Sequence, residues 1–238
     1  MAARTSKGPA TDKAPLHLRG LPRSLTLSSA VLAGHDCAEL QLPDSLAAHA
    51  DSATVSLPVR AKRDDGASVR LRLKRTAPPG RYAAKLAVGK ALLDVDLDIA
   101  PAPQLSFFPP KAWFSAAPGQ ETALDVTITN IGNVAVDLPE QSVVGLFDDD
   151  GIEAAFVEAY RQLTDQPAEV FGTWLRSLRH GCGLLKLYLK GGGALLPGQE
   201  RTVRIAARLP EELSPGQSCH GIWRLGPVPY GIGVTAQR

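Results

Sequence analysis

Two short segments carry side chains with metal-ligand chemistry. "RHGCG" holds His180 and Cys182, and "SCHG" holds Cys219 and His220. Two thiolates and two imidazoles make a tetrahedral zinc set. Cys219 and His220 are adjacent, however, so on a strand they point to opposite faces, and the spacing is that of no standard zinc signature. Three cysteines in 238 residues are too few for a disulfide-built scaffold. The expectation is ordinary packing, with three free thiols and no stoichiometric metal; a zinc site and a Cys182–Cys219 disulfide are the alternatives.

Other candidates are weaker. "DDDG", Asp148–Gly151, suggests calcium, but Glu153 is the only near carboxylate of the kind such a loop adds, and aspartates ahead of a helix are explained by capping. The chain has no G-x-S-x-G, H-E-x-x-H or G-x-x-x-x-G-K-[ST] pattern. Gly191–Gly193 join two strands rather than a strand and a helix, so a hairpin or loop is expected there and not a phosphate cradle. Asp94, Asp96 and Asp98 share one face of a strand, the pattern of a solvated face. The most suggestive charges lie in "VRLRLKR", where Arg70, Arg72 and Lys74 project together with Arg75 nearby. Such a basic face suits edge protection or an acidic protein partner. Nucleic acid is disfavoured, because only Tyr82 is near to stack on a base.

The charge is distributed unevenly along the chain. The formal net charge is +2, made of +5 over residues 1–100 (15 Lys/Arg, 10 Asp/Glu) and −3 over residues 101–238 (11 and 14). Hydrophobic residues at 44% and charged residues at 21% are an ordinary globular balance. No stretch reaches the roughly 18 apolar residues of a membrane span, and the N-terminus has no apolar run behind its basic residues. A soluble, cytoplasmic protein is expected, or a periplasmic or secreted one if an export signal precedes this start.

The elements that must position these residues are mostly strands. Runs at Leu16–Leu18, Leu25–Leu27, Glu39–Leu42, Thr54–Val59, Val69–Leu73, Tyr82–Val88 and Leu92–Ile99 are bounded by Gly, Pro, Asp or Ser, and several alternate apolar with charged residues. Seven such runs suggest an antiparallel sandwich. "APAPQ" then interrupts the pattern, which resumes at Leu105. The fold class is therefore all-β, with two immunoglobulin-like β-sandwiches. The expected organisation is a flexible tail at 1–13, a sandwich at 14–100, a linker at 101–104 and a second sandwich at 105–238.

Within the second sandwich, residues 148–181 change period from 2 to about 3.6. Ile152, Phe156, Val157, Tyr160 and Leu163 fall on one helix face, and Val170, Phe171, Trp174, Leu175 and Leu178 on another, with Pro167 at a helix start. This helical insertion is the expected partner-binding element. Its large apolar groups, with Phe147, Phe156, Tyr160, Phe171 and Trp174 foremost, exceed what two short helices can bury on each other. "DVTITNIGNVAVDL", residues 125–138, reads as a two-stranded ribbon turning at Asn130–Asn133. A pattern repeat also links Val69–Ala100 with Val203–Ala236: charged strand, Pro-Gly turn, strand, short break, final strand.

"PGQETALDVTITNIGNVAVDL" and "LLPGQERTVRIAARLPEELSPGQSCHGIWRL" resemble the tandem immunoglobulin-like modules of bacterial surface and accessory proteins, the NEW3, CARDB and DUF11 type of β-sandwich. That resemblance implies a fold and no single activity. The functional expectation is a non-enzymatic interaction or structural protein without a cofactor, bridging components of an assembly. The alternative is a secreted or periplasmic accessory module, carbohydrate-binding or pilus-chaperone-like.

Overall fold

The computed structural model describes residues 15–61, 66–148, 157, 159–161, 167–178 and 182–238. The chain divides into two compact units, residues 1–102 and 103–238, and strands make up most of what is described in each.

The first unit contains β1 (Leu16–Leu21), β2 (Ser24–Ser29), β3 (Cys37–Gln41), β4 (Thr54–Pro58), β5 (Arg60–Ala61), β6 (Ala67–Leu71), β7 (Gly80–Val88) and β8 (Ala91–Ile99), with one turn of helix, α1 (Asp44–Ala47). They form one continuous sheet in the order β4-β3-β7-β8-β1-β2-β6-β5. The seam is β1, which pairs antiparallel with β2 and parallel with β8. On either side of it lie the two layers of an immunoglobulin-like sandwich, β1-β2-β6-β5 and β8-β7-β3-β4.

Strand alternation supplies the filling. Leu18, Leu25, Leu40, Leu57, Leu71, Leu86 and Leu97 turn inward and are buried in one cluster, each worth about 1.5–3 kcal/mol relative to exposure. The intervening residues turn outward, where Asp96 and Asp98 meet His17 and Arg19 of β1 at 3.5 and 3.8 Å. Arg81 and Lys85 of β7 stand opposite Asp98 and Asp94 in register. The row of aspartates is thus flanked by cations on both neighbouring strands. Tyr82, near the start of β7, donates its hydroxyl proton to the Pro78 carbonyl at 3.0 Å, the tyrosine corner of immunoglobulin-like folds.

The second unit contains β9 (Leu105–Phe108), β10 (Lys111–Ala116), β11 (Glu121–Asn130), β12 (Val136–Leu138), β13 (Gln141–Gly145), β14 (Leu184–Lys190), β15 (Gly193–Leu195), β16 (Glu200–Arg208), β17 (Ser218–Leu225) and β18 (Val228–Ala236), with helix α2 (Pro167–Leu178). Residues 157 and 159–161 are helical as well. One sheet runs β13-β14-β16-β11-β9, the second β10-β18-β17, and β12 pairs with β15. Pro109 and Pro110 cannot donate to a ladder. The strand that begins as β9 against β11 therefore ends at Phe108, and the chain resumes as β10 parallel to β18 in the other sheet.

Between the layers Phe114, Val126, Ile128, Leu187, Val203, Trp223 and Tyr230 are buried. Phe107 stacks on Tyr230 at 4.2 Å between ring centroids. The Tyr230 hydroxyl donates to the Pro109 carbonyl at 2.9 Å. Burial pushes its pKa up to about 12.

The pattern repeat corresponds to equivalent strands, β6-β7-β8 and β16-β17-β18. In both units the last hairpin closes through a two-residue loop that begins with glycine, Gly89 and Gly226, at φ of +58° and +60°, the positive φ that two-residue hairpin loops require there. The expected ribbon at 125–138 is corrected. β11 and β12 do not pair, since β11 lies between β16 and β9 while β12 joins β15. Asn130 explains why. It is fully buried, accepts from Gly132 N–H at 3.0 Å, and donates to the carbonyls of Val134 and Leu195, both at 2.8 Å. The turn chemistry was real, but it ties a crossing between sheets rather than a hairpin.

Candidate interaction surfaces

The cysteines correct the first expectation. Cys182 and Cys219 form a disulfide across 37 residues, with Cα atoms 6.3 Å apart, and only Cys37 is free. Joined to each other, the two sulfurs are not thiolate ligands for zinc. Alternation on β17 sends Cys219 inward, where it is buried, and His220 outward. Sequence separation hid the pairing, because it is the fold that brings the segment before β14 alongside the start of β17.

That disulfide belongs to a clamp at the neck of the insertion. Phe147 and His220 exchange both backbone hydrogen bonds, at 2.8 and 2.7 Å, and Leu146 N–H donates to Gly183 O at 3.0 Å. Gln217 Nε2 donates to Asp148 Oδ2 at 3.2 Å and lies 3.5 Å from Cys182 Sγ. Residues 146–148 and 182–183, the two ends of the insertion, are thereby fastened to residues 217–220. Asp148 has a partner in the clamp; Asp149 and Asp150 lie outside the described residues, as does His180.

The insertion's own apolar residues divide unevenly. Phe147 is at the neck, more than a third exposed. Phe156 lies outside the described residues. Tyr160 is 64% and Phe171 56% exposed; Phe171 meets Trp174 at 5.5 Å between centroids. The expected helix faces are met in part among the described residues. Among the described residues of the first helical piece Ala159 is buried while Val157 and Tyr160 are exposed; on α2 Val170 and Trp174 are half-buried and Thr173 is buried, while Phe171 turns out, and Ile152, Leu163 and the side chains of Leu175 and Leu178 lie outside the description.

A second surface was not read from the sequence. On the outer face of β10-β18-β17, Lys111, Trp113 and His220 come together over two glycines. Trp113 and His220 flank Gly233 in register, their rings meet edge-on at 5.4 Å, and Lys111 Nζ lies 2.9 Å from His220 Nδ1 and 4.6 Å from the indole centroid. A Cβ on Gly233 would collide with the indole ring. The alternate glycines of "YGIGV" were the available signal, since glycine within a strand marks close approach of another group.

The basic residues also separate. Arg70 and Arg72 are exposed and line a groove of about 410 Å³ with Arg60, Asp51, Ser56 and Ser68. Lys74 is drawn elsewhere: its Nζ donates to Ala48 O at 2.9 Å, at the carboxyl end of α1 where a cation is favoured. Arg75 is exposed beyond the end of β6. The loop at Gly191–Gly192 turns its carbonyls to the Arg201 guanidinium, at 3.1 and 2.8 Å. Among the described residues no three His, Cys, Asp or Glu side chains gather where they could hold a metal ion, and no helix is long and apolar enough to cross a membrane.

No protein-family model matches the sequence, and no curated protein does. Solved structures similar to the chain include the complex of Dpr11 IG1 with DIP-gamma (10% identity, 94% of this chain and 97% of that one, TM-score 0.32). An I-band fragment of titin matches at 9% identity over 94% and 64% of the two chains, TM-score 0.31. Domains 4 and 5 of the S-layer protein SbsC match at 13% identity over 67% and 66%, TM-score 0.28. The immunoglobulin-like assignment itself stands on strand order, the split or shared first strand and the tyrosine corner.

Proposed function

We propose that the chain is a non-enzymatic interaction module, in which the insertion of the second sandwich is the principal protein-binding element. One observation carries this reading. Both ends of the insertion are fastened to β17, by a disulfide and a short ladder, while Tyr160 and Phe171 stand exposed beyond that clamp. Large aromatics held on a fixed base are the composition of binding hot spots, and ordering such a segment costs about 1–2 kcal/mol per residue in backbone entropy. Replacing Tyr160 and Phe171 together by Ala tests it. Binding of co-purifying protein from the native cells is expected to fall at least tenfold with the thermal transition unmoved; unchanged binding removes the insertion as the site.

The disulfide favours an oxidising compartment, and so the secreted or periplasmic accessory module over the cytoplasmic one. Alkylation of the native protein from its own cells under denaturing conditions distinguishes them. One reactive thiol, Cys37, supports an oxidising compartment; three thiols support the cytoplasm.

A further inference from the structure

We infer that the groove of the first unit binds an extended acidic peptide, which adds as a strand to the free edge of β4. This site lies apart from the insertion and does not depend on it.

The groove lies where the sheet fails to close. β4 ends the strand order on one side and the two-residue β5 on the other. β5 covers β6 only at Ala67 and Ser68, so β4 and the remainder of β6 approach each other without pairing. The floor is apolar, with Leu57 and Val69 buried and Val55 half-buried. Its volume, about 410 Å³, is within the roughly 300–1,000 Å³ of ligand clefts.

Backbone groups on one wall are available for pairing. Leu42 N–H donates to Ala53 O and Val59 N–H to Asp36 O. Antiparallel alternation then assigns Val55 and Leu57 to the hydrogen-bonded pairs with Leu40 and Ala38. Ser56, opposite Glu39, therefore directs its N–H and C=O away from β3 and toward the groove. An added strand recognises such an edge through its own main chain.

Charge identifies the occupant. Arg60, Arg70 and Arg72 line the groove against the single carboxylate of Asp51, and none of the three arginines is in an ion pair among the described residues. Guanidinium groups bind carboxylates in paired hydrogen bonds. An extended peptide with alternating carboxylates meets both features at once. Nucleic acid would meet only the charge, because no aromatic side chain lines the groove to stack on a base.

Fluorescence anisotropy of the full chain tests this with a labelled octapeptide of alternating Val and Glu. Saturable binding is expected, weakened at least tenfold by Arg70→Gln with Arg72→Gln, by Gln in place of the peptide's Glu, and by Ser56→Pro. Both arginines are exposed, so the fold of the double variant is checked by an unchanged thermal transition. Ser56→Pro separates strand addition from charge alone. No binding at millimolar peptide overturns the proposal. So does binding insensitive to the arginine or Ser56 changes, and so does tighter binding of a labelled single-stranded oligonucleotide of equal charge.

Discussion

The two units place their first strand differently. In the first, β1 pairs with both β2 and β8, so a single strand welds the layers into one continuous sheet. In the second, prolines at 109 and 110 divide the same strand into β9 and β10, one for each sheet. The welded unit stays small between its third and sixth strands. The divided unit instead carries an insertion of about thirty residues, whose neck is held by a disulfide and by Gln217. Closure of a sandwich and attachment of an insertion are therefore separate problems, solved by separate residues.

The largest expected effect falls on the insertion's clamp. Replacing both Cys182 and Cys219 by Ser releases a loop spanning 37 residues, which loop-closure entropy values at about 4 kcal/mol. Calorimetry should show one transition lowered by that amount and the other unmoved. A shift in both transitions would join what the comparison separates.

Alkali should act next, and on the second unit. Tyr230 has its folded pKa raised to about 12 from 10.0, so its neutral form is the folded one. The stability it contributes is whole below pH 10 and is lost as pH rises from 10 to 12, by about 2–3 kcal/mol. A Tyr230→Phe variant, whose ring keeps the stack on Phe107, should lose that dependence.

Gly20 tests the weld. It has φ of +146° at the corner between β1 and β2, and a Cβ there would collide with the Ser24 carbonyl. Gly20→Ala is expected to cost about 1–3 kcal/mol in the first unit only, read from urea unfolding.

The strands were legible because their alternation is local, and so was the insertion, where the period changes. Residues such as Gln141–Gly145 and Gly193–Leu195 were not, since short runs become strands only through the neighbours the fold brings to them. The 125–138 ribbon shows the same limit. Its turn residues are readable, but whether two strands pair is decided by Asn130 reaching Leu195, 65 residues away. In the candidate surfaces, Arg70 and Arg72 were visible on one strand face, whereas Arg60 joins them through the pairing of the two-residue β5 with β6, too short a strand to read from the sequence. Phe171 and Trp174 were visible as a pair of aromatics; that Thr173 faces inward depends on packing beyond the helix itself.

The most direct measurement replaces residues 150–180 with a short Gly/Ser loop, keeping Cys182, and follows both unfolding and partner binding. The account predicts two calorimetric transitions within about 1 kcal/mol of the parent and loss of the co-purifying protein. Collapse of the second unit, or retention of the partner by the folded variant, would contradict it.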